Sequence, residues 1–510
     1  MAGFAIVCLL FRDYGATWDE FFHQRYGWKI LDYYRTLGAD RSCSEYSNLY
    51  LYGGLFDLLC SIDRAIHLGP FDVRHFITGL FGLLGVAGCW MLTRSLGGLR
   101  AAVVATVFLV LTPLYAGHFF NNPKDLPFAA ACTWMLYGFV RIAQTERPLG
   151  RFFPLMLGVS LGFALNGRIN AVAVLLAIAA AVFLVQYGLG STVPAETAVL
   201  RLELRRRSWT VVLPAFVIGY LVLLAGWPWA QESPLLNPWR AVTQFAHFTD
   251  WTGRTLYRGT LYPATGIPWH YVPGYFLVVL PEFLLAALAC GVVLGVRDLA
   301  GRRTDPFRPA GRLLLILASV GPLAAAVVLR TPVYDTVRHF LFLVPFLCSL
   351  AALAACRIWR EFIAGRRPRR MAAALLLAAG ALYYAGILVR LHPYESVYYN
   401  VFAGGLKGAE GWYEIDYWGA SLRESALWLA NHTRTDGADA SSSYAVNVCG
   451  NAMIVLGYLP ANFHLTMNPE EADFVIAYTR YDCAPERYGT AVHSVTRDGV
   501  TLSTVYARSR

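Results

Sequence analysis

RHFLFLVPFLCSLAALAACRIWREFIAGRRPRR, residues 338–370, decides the class of this chain. From Phe340 to Cys356 no side chain carries a charge. As a helix this run is about 25 Å long, close to the ~30 Å hydrocarbon core of a bilayer. Arg338 and His339 stand at one end, while Arg357, Arg360, Arg366, Arg367, Arg369 and Arg370 crowd the other. A membrane span with its cytoplasmic end marked by arginine has this pattern.

The pattern repeats in both directions. Apolar runs near 72–93, 101–120, 126–143, 170–188, 209–229, 273–296, 312–329, 338–356 and 371–390 approach the ~20 residues a span needs. Two shorter runs, 2–11 and 152–165, bring the expectation to about eleven spans. Run 2–11 lacks the basic start and small-residue cleavage site of a signal peptide, so it reads as a first span cut short or lying partly in the membrane. Arginines collect in alternate connections: 94 and 100; 141, 147 and 151; 201 and 205–207; 297, 302, 303, 308 and 312; then 357–370. The short connections between them carry only Lys124, Arg168, Arg330 and Arg338. The positive-inside rule then puts the N-terminus in the cytoplasm, and residues 12–71, 119–125, 230–272, 330–338 and 391–510 outside.

Composition agrees. Of 510 residues 15% are charged, against roughly 25% in soluble proteins, and 56% are hydrophobic. Mean hydropathy is +0.45. Disordered chains, fibres, disulfide-dense secreted scaffolds and soluble multidomain proteins are excluded. The net charge of +10 follows the loops, so it marks topology and calls for no nucleic acid. Six of the ten cysteines lie in or beside apolar runs; Cys43, Cys60, Cys449 and Cys483 fall outside, where oxidation can occur, and the sequence leaves open whether Cys449 and Cys483 form a bridge. No spacing suits zinc.

The expected fold is an α-helical polytopic membrane domain, residues 1–390, followed by a small extracytoplasmic α/β domain, residues 391–510. In the first outer loop, 12–71, residues 17–37 form an amphipathic helix with Phe21, Phe22, Trp28, Leu31 and Tyr34 on one stripe, capped by Thr17 or Asp19. A second such stretch runs from Tyr46 to Leu68. In the tail, 421–432 reads as helix and 474–478 as strand. Val492–Thr496 and Val500–Val505 flank a three-residue hairpin connection, Arg497-Asp498-Gly499.

Asp19, Glu20, Lys124, Asp125, Arg168, Arg338 and His339 all fall at the outer ends of spans. A carboxylate base working beside cations for a phosphate uses these residue types. Each also has a plain structural reading: Asp19 as a helix cap, Lys124 with Asp125 as a surface pair, Arg338 and His339 as an interfacial anchor. Arg168, between two short apolar runs, needs a partner or a wet cavity. Spacing alone does not separate an enzyme from a transporter.

Resemblance goes further. The Asp19-Glu20 pair after the first span resembles the first outer loop of the GT-C class of glycosyltransferases. The similarity is to the branch holding dolichyl-phosphate-mannose protein mannosyltransferases and the bacterial aminoarabinose transferase. Asn122-Pro-Lys-Asp125, Asn166-Gly-Arg168, Pro268-Trp-His-Tyr271, Arg338-His339-Phe340 and the stretch from His392-Pro-Tyr394 to Asp416-Tyr-Trp-Gly419 follow in the same order. The resemblance implies transfer of a hexosyl or pentosyl group, usually inverting, from a polyprenyl-phosphate donor to an acceptor hydroxyl at the outer face of a bacterial inner membrane. Asp19, Glu20 and Asp125 take the catalytic positions. Lys124, Arg168, Arg338 and His339 surround the donor phosphate. Tyr46, Trp269, His270 and Tyr394 are candidate substrate contacts. No cofactor and no metal are implied. The partners are the lipid-linked sugar, membrane lipids and a glycan, lipid or protein acceptor. The rival reading is a lipid-linked-sugar flippase or transporter, which would place ionisable groups at mid-bilayer on broken helices.

Overall fold

The computed structural model describes residues 2–66, 68–144, 149–169, 208–246, 251–300, 309–435, 443–480 and 489–508, together with Arg206 and Arg487. The expected span at 170–188, part of the arginine-rich loops and Cys483 lie outside these described residues. Cys449 is disulfide-bonded.

Among the described residues five helices are long and apolar enough to cross a membrane: Asp72–Val110, Asp125–Ala143, Gly311–Val328, Leu343–Ile363 and Arg367–Leu391. Phe153–Gly167 and Trp209–Ala225 are shorter apolar helices. The first of the five is two helices back to back. Gly98 has φ +79° and ψ −171°, outside the helical range, and the chain doubles back there. Tyr115 Oη donates to the Gly82 carbonyl at 3.1 Å, and Gly79 faces the Phe120 ring. Along a straight helix Gly82 and Tyr115 would be about 50 Å apart. Glycine alone takes this backbone cheaply, so the expected runs 72–93 and 101–120 share one turn. The expected run 273–296 is divided at Leu280-Pro281 into Tyr271–Val279 and Glu282–Ala300, because proline has no N–H to continue the ladder. The nine-residue helix Ala2–Leu10 lies against the start of Asp72–Val110, with Val7 on Gly79 and Gly3 on Leu83.

Asp125–Ala143 is the central helix, with 83% of its apolar window buried, whereas Arg367–Leu391 is peripheral at 11%. Phe153–Gly167 and Leu213–Ala225 touch through glycines. A Cβ on Gly158 would come within 2.7 Å of the Ala215 carbonyl, and one on Gly162 within 2.7 Å of the Gly219 carbonyl. In hydrocarbon, where helices gain nothing from hiding apolar surface, such backbone contact supplies the attraction.

At the end away from the arginine-rich loops, the helix Glu20–Arg35 corrects the amphipathic reading. Its buried face is Glu20, His23, Tyr26, Gly27 and Ile30, while Phe22 is exposed. Of the expected stripe Phe21, Trp28, Leu31 and Tyr34 are half-buried, and two ionisable groups face in. The second amphipathic helix, 46–68, does not form. That stretch breaks into the turns Leu49–Leu51 and Ser61–Arg64 around the short helix Leu55–Cys60. Gly53-Gly54 lowers helix propensity, and the Gly54 N–H is taken by the Gly226 carbonyl at 2.8 Å. Strands β1 (Arg254–Tyr257) and β2 (Thr260–Pro263) form a hairpin in what the sequence presents as loop.

Residues 391–420 are irregular and share the core of the helical body through Tyr398, Tyr399 and Leu406. The sheet domain follows. Helix Leu422–Thr435 packs Leu422, Ala426 and Leu429 onto a five-stranded sheet. Its strands are β3 (Tyr444–Val448), β4 (Phe463–Leu465), β5 (Phe474–Tyr478), β6 (Thr490–Arg497) and β7 (Val500–Ala507), in the order β4-β3-β5-β7-β6. The hairpin is tighter than expected. Arg497 pairs with Val500, leaving Asp498 and Gly499 as a two-residue turn with φ +48° and +78°. The domain sits on residues 13–18. Arg423 donates to the Asp13 carbonyl at 3.1 Å, Trp18 N–H to the Trp418 carbonyl at 3.1 Å, and Asn451 to the Trp18 carbonyl at 3.2 Å.

The glycine contact makes a stability prediction. Gly162→Ala drives a methyl into a backbone carbonyl and is expected to cost about 1–3 kcal/mol. Gly386→Ala, whose Cβ meets nothing, is expected to be neutral or slightly stabilising. Thermal unfolding of the two variants in one detergent checks the difference.

Candidate active site

The helix Asp125–Ala143 begins with Asn122-Pro-Lys-Asp125. The Asn122 Oδ1 accepts the Asp125 N–H at 2.8 Å and the Lys124 N–H at 3.3 Å. Pro123 has no N–H to satisfy, so one amide side chain closes the helix start. That places the Asp125 carboxylate, 1% exposed, beneath two guanidiniums. Arg168, which ends the helix Phe153–Gly167, grips Oδ1 through Nε at 2.9 Å and through Nη2. Arg338 Nη1 lies 3.3 Å from Oδ2.

Arg338 is itself buried and serves three carboxylates. Besides Asp125 it meets Asp335 through Nη2 at 3.0 Å and Asp19 at 3.6 Å. Burial works against its charge, but Asp335, Asp125 and Asp19 together hold its pKa well above the usual arginine value. Its guanidinium plane lies 4.6 Å from the Trp418 ring and 5.3 Å from Tyr334. The residue sits in a single 3-10 turn, Arg338–Phe340, and the helix starts only at Leu343. The partial charge of that helix end is therefore displaced from Arg338. Asp335 and Thr336, just before it, have φ +56° and +61°. Two adjacent left-handed residues without glycine cost of order 1–3 kcal/mol each, held here by the pairing of Asp335 on both sides. Its second partner comes from the sheet domain: Arg480 Nη1 at 2.6 Å, with the Arg480 guanidinium over Trp251.

Lys124 stands apart from this lattice. Its Nζ is 3.4 Å from the centre of the Tyr52 ring, and among the described residues no carboxylate reaches ion-pair distance. Burial first, then Arg168, pushes its pKa down to about 7, against the pull of Asp19 and Asp125. His339 is neutral. Burial and then Arg168 and Arg338 push its pKa well below the usual value, so the positive charge of the site comes from Lys124 and the arginines. His118, buried beside Trp418, is likewise pushed down to about 4 by burial.

The Asp19-Glu20 pair splits. Asp19 faces Arg338 and is more than a quarter exposed. Glu20 is fully buried on the other side, accepting the Thr17 N–H at 2.8 Å and meeting His75 Nε2 at 3.1 Å. Thr17 and Glu20 thus form one arm of a capping box, while the Thr17 hydroxyl turns to the Asn121 carbonyl. A second buried network lies behind: Asp57 takes His23 Nδ1 and Arg74 Nη2, both at 2.7 Å.

Asp19, Lys124, Asp125, Arg168, Arg338 and His339 are brought together from positions spread over most of the chain. The four candidate substrate contacts are not among them. Tyr46 stacks on Tyr26 under Lys29. Trp269 is 64% exposed, and His270 Nδ1 is 3.0 Å from the Tyr257 hydroxyl. Tyr394 donates to Glu424 at 2.9 Å beneath Arg497. The aromatic walls are Tyr52, Trp251, Tyr334 and Trp418 instead. Asp335 and Arg480 were missed. Asp335, one turn before Arg338, carried a legible signal, and Arg480 carried none.

The family described as dolichyl-phosphate-mannose-protein mannosyltransferase matches residues 71–202. Among solved structures, ArnT from Cupriavidus metallidurans bound to undecaprenyl phosphate is similar at TM-score 0.51 and 13% identity, covering 99% of this chain and 97% of that one. Its apo form gives 0.50 and 14%, covering 95% and 93%. The oligosaccharyltransferase of Archaeoglobus fulgidus, tethered to an acceptor peptide, gives 0.50 and 14%, covering 92% of this chain and 64% of that one. No curated protein sequence matches. These likenesses show a GT-C fold.

Stability separates the two aspartates. Asp125→Ala leaves two arginines without their shared counter-charge and is expected to cost about 3–5 kcal/mol. Asp19→Asn, at the open edge, is expected to stay within about 1 kcal/mol of wild type. Unfolding midpoints of both variants test this.

Proposed function

We propose that this chain, a GT-C protein of the aminoarabinose-transferase and protein-mannosyltransferase type, is a membrane glycosyltransferase fed by a polyprenyl-phosphate-linked sugar. One observation carries the reading. Lys124, Arg168, Arg338 and Arg480 gather with Asp19, Asp125 and Asp335 at one end of the helices, and of these four basic groups Lys124 has no carboxylate at ion-pair distance among the described residues. A phosphodiester carries the single negative charge that balances it. The lipid tail stays in hydrocarbon while its phosphate reaches this end.

Asp19 is the base in this scheme. It is the only one of the three carboxylates with substantial exposure and a long contact to arginine, so an acceptor hydroxyl can reach it. The acceptor oxygen bonds to the anomeric carbon from the face opposite the phosphate, and its proton passes to Asp19. The carbon–oxygen bond to phosphate breaks with inversion, and the leaving polyprenyl phosphate takes the electron pair and a second negative charge. Lys124, with Arg168 and Arg338 behind it, stabilises that growing charge. Asp125 is the clamp that aims both arginines, a positioning role in place of a catalytic one. Glu20 holds the start of the Asp19 helix. The positive charge comes from side chains, and no metal or cofactor is part of the scheme. The arginine-rich loops put the opposite end, with the sheet domain, outside a cell membrane. Transfer of a hexose or pentose to a glycan, lipid or protein hydroxyl fits this geometry. Asp19, Lys124, Asp125, Arg168, Asp335 and Arg338 gather at the ends of the helices away from the arginine-rich loops, and no observation favours a flippase.

Asp19→Asn is expected to fold and bind donor normally yet lose about 10²–10⁴-fold in turnover. Single-turnover transfer from a polyprenyl-phosphate sugar tests it; near-normal turnover sinks the assignment. Lys124 adds a pH prediction. A bound phosphodiester, whose own charge is constant here, raises the lysine pKa above its free value of about 7. Donor binding is then tightest below pH 7 and weakens as pH rises toward the bound pKa. Between pH 6.5 and 8.5 the dissociation constant should rise about tenfold in wild type. It should stay flat in Lys124→Arg, whose charge does not titrate.

A further inference from the structure

We propose that the crevice between the helix Arg367–Leu391 and the rest of the bundle is a binding site for one anionic phospholipid of the arginine-rich leaflet. This goes beyond the transferase reading, and only the choice of phospholipid over a polyprenyl donor rests on that reading.

The crevice has a volume of about 1880 Å³ and lies at the far end of the helices from Asp125. It exists because one wall stands off. Arg367–Leu391 is held at its ends, near Trp359–Ile363 at its start and near Glu395–Val397 at its finish. Tyr384, Ile387 and Leu391 pack against the body. In the first half Leu375, Leu376 and Leu377 are exposed, and Leu376, Leu377 and Gly380 face the gap. Glycines on both walls, Gly295 opposite and Gly380 on this helix, leave the gap open. A Cβ placed on Gly295 or Gly380 would meet nothing within 4 Å. Along the limb Leu99–Leu111 the crevice is about 18 Å deep, close to the ~15 Å of one leaflet.

A void of this size in hydrocarbon is filled by acyl chains, since empty space forfeits dispersion contacts. The rim decides which lipid. Arg100, Arg360 and Arg370 line the mouth, all exposed, and among the described residues none has a carboxylate at ion-pair distance. Arg100 and Arg360 both lie within electrostatic reach of Cys356. Unpaired guanidiniums at headgroup level above two-chain apolar space select a phosphate without a compensating cation. A polyprenyl donor is the poorer occupant, because the unpaired Lys124 that suits its phosphate is at the other membrane face.

The test uses the full chain in mild detergent, exchanged against equal amounts of dioleoyl phosphatidylglycerol and phosphatidylcholine and examined by native mass spectrometry. Wild type should retain phosphatidylglycerol about tenfold over phosphatidylcholine. R100Q/R360Q/R370Q should fall to near parity. R366Q/R367Q, which removes charge from the same loop but not from the rim, should keep the preference. Gly295→Leu with Gly380→Leu should lower retention of both lipids. The proposal is overturned if the rim variant keeps its preference or the control loses it equally. It is also overturned if added undecaprenyl phosphate displaces the bound lipid at stoichiometric amounts.

Discussion

The Asp125 carboxylate, almost without exposure, is shared by Arg168 and Arg338. A buried carboxylate is tolerable only when its lone pairs and its charge are met, and a buried guanidinium has the same requirement. Each partner therefore drags in another. Arg338 exceeds what Asp125 can satisfy and takes Asp335 and Asp19. Asp335 in turn takes Arg480 from the sheet domain. The starts of two helices, the end of a third, a strained turn and the last domain are tied by one alternating row of charges.

That row explains why the site has an open edge and a closed interior. Asp125 and Asp335 are used on both sides and cannot also take a proton from an acceptor. Asp19 ends the row with a single 3.6 Å contact and keeps capacity to spare. Lys124 lies beside the row with the Tyr52 face against it. The arrangement is pre-built: an incoming phosphate meets cations already oriented, with little reorganisation to make at the moment of reaction. The cost is carried by strain at Asp335 and Thr336 and by polar atoms left unmatched, such as His339 Nδ1.

The remaining differences from the sequence reading have identifiable causes. The apolar stripe of Phe21, Phe22 and Trp28 is only partly covered, while Glu20 and His23 are the buried side chains, because His75 and Asp57 meet them on neighbouring elements. Apolarity alone does not say which face is inside when the other face has a polar partner and the surroundings are membrane. Tyr394 and His270 looked like substrate contacts by their place in motifs. They are consumed by Glu424 and Tyr257. Gly98 turned two expected spans into one continuous hairpin, a consequence of a single backbone angle that composition does not reveal.

Sequence by itself determined the membrane class and the helix ends at which the ionisable residues of the site collect. Those depend on local quantities: runs of apolar residues, counts of arginine per loop, the Asn-Pro-Lys-Asp helix start and the Asp-Gly turn. Tertiary structure alone decided which of the collected charges touch. Asp125 and Arg338 are more than two hundred residues apart, and Arg480 lies farther still along the chain. Their pairing is set by how the helix ends are packed, and no residue's neighbours in sequence record it. Whether a carboxylate is a base or a clamp depends on the number of cations within about 4 Å of it, and that number exists only once the chain has folded.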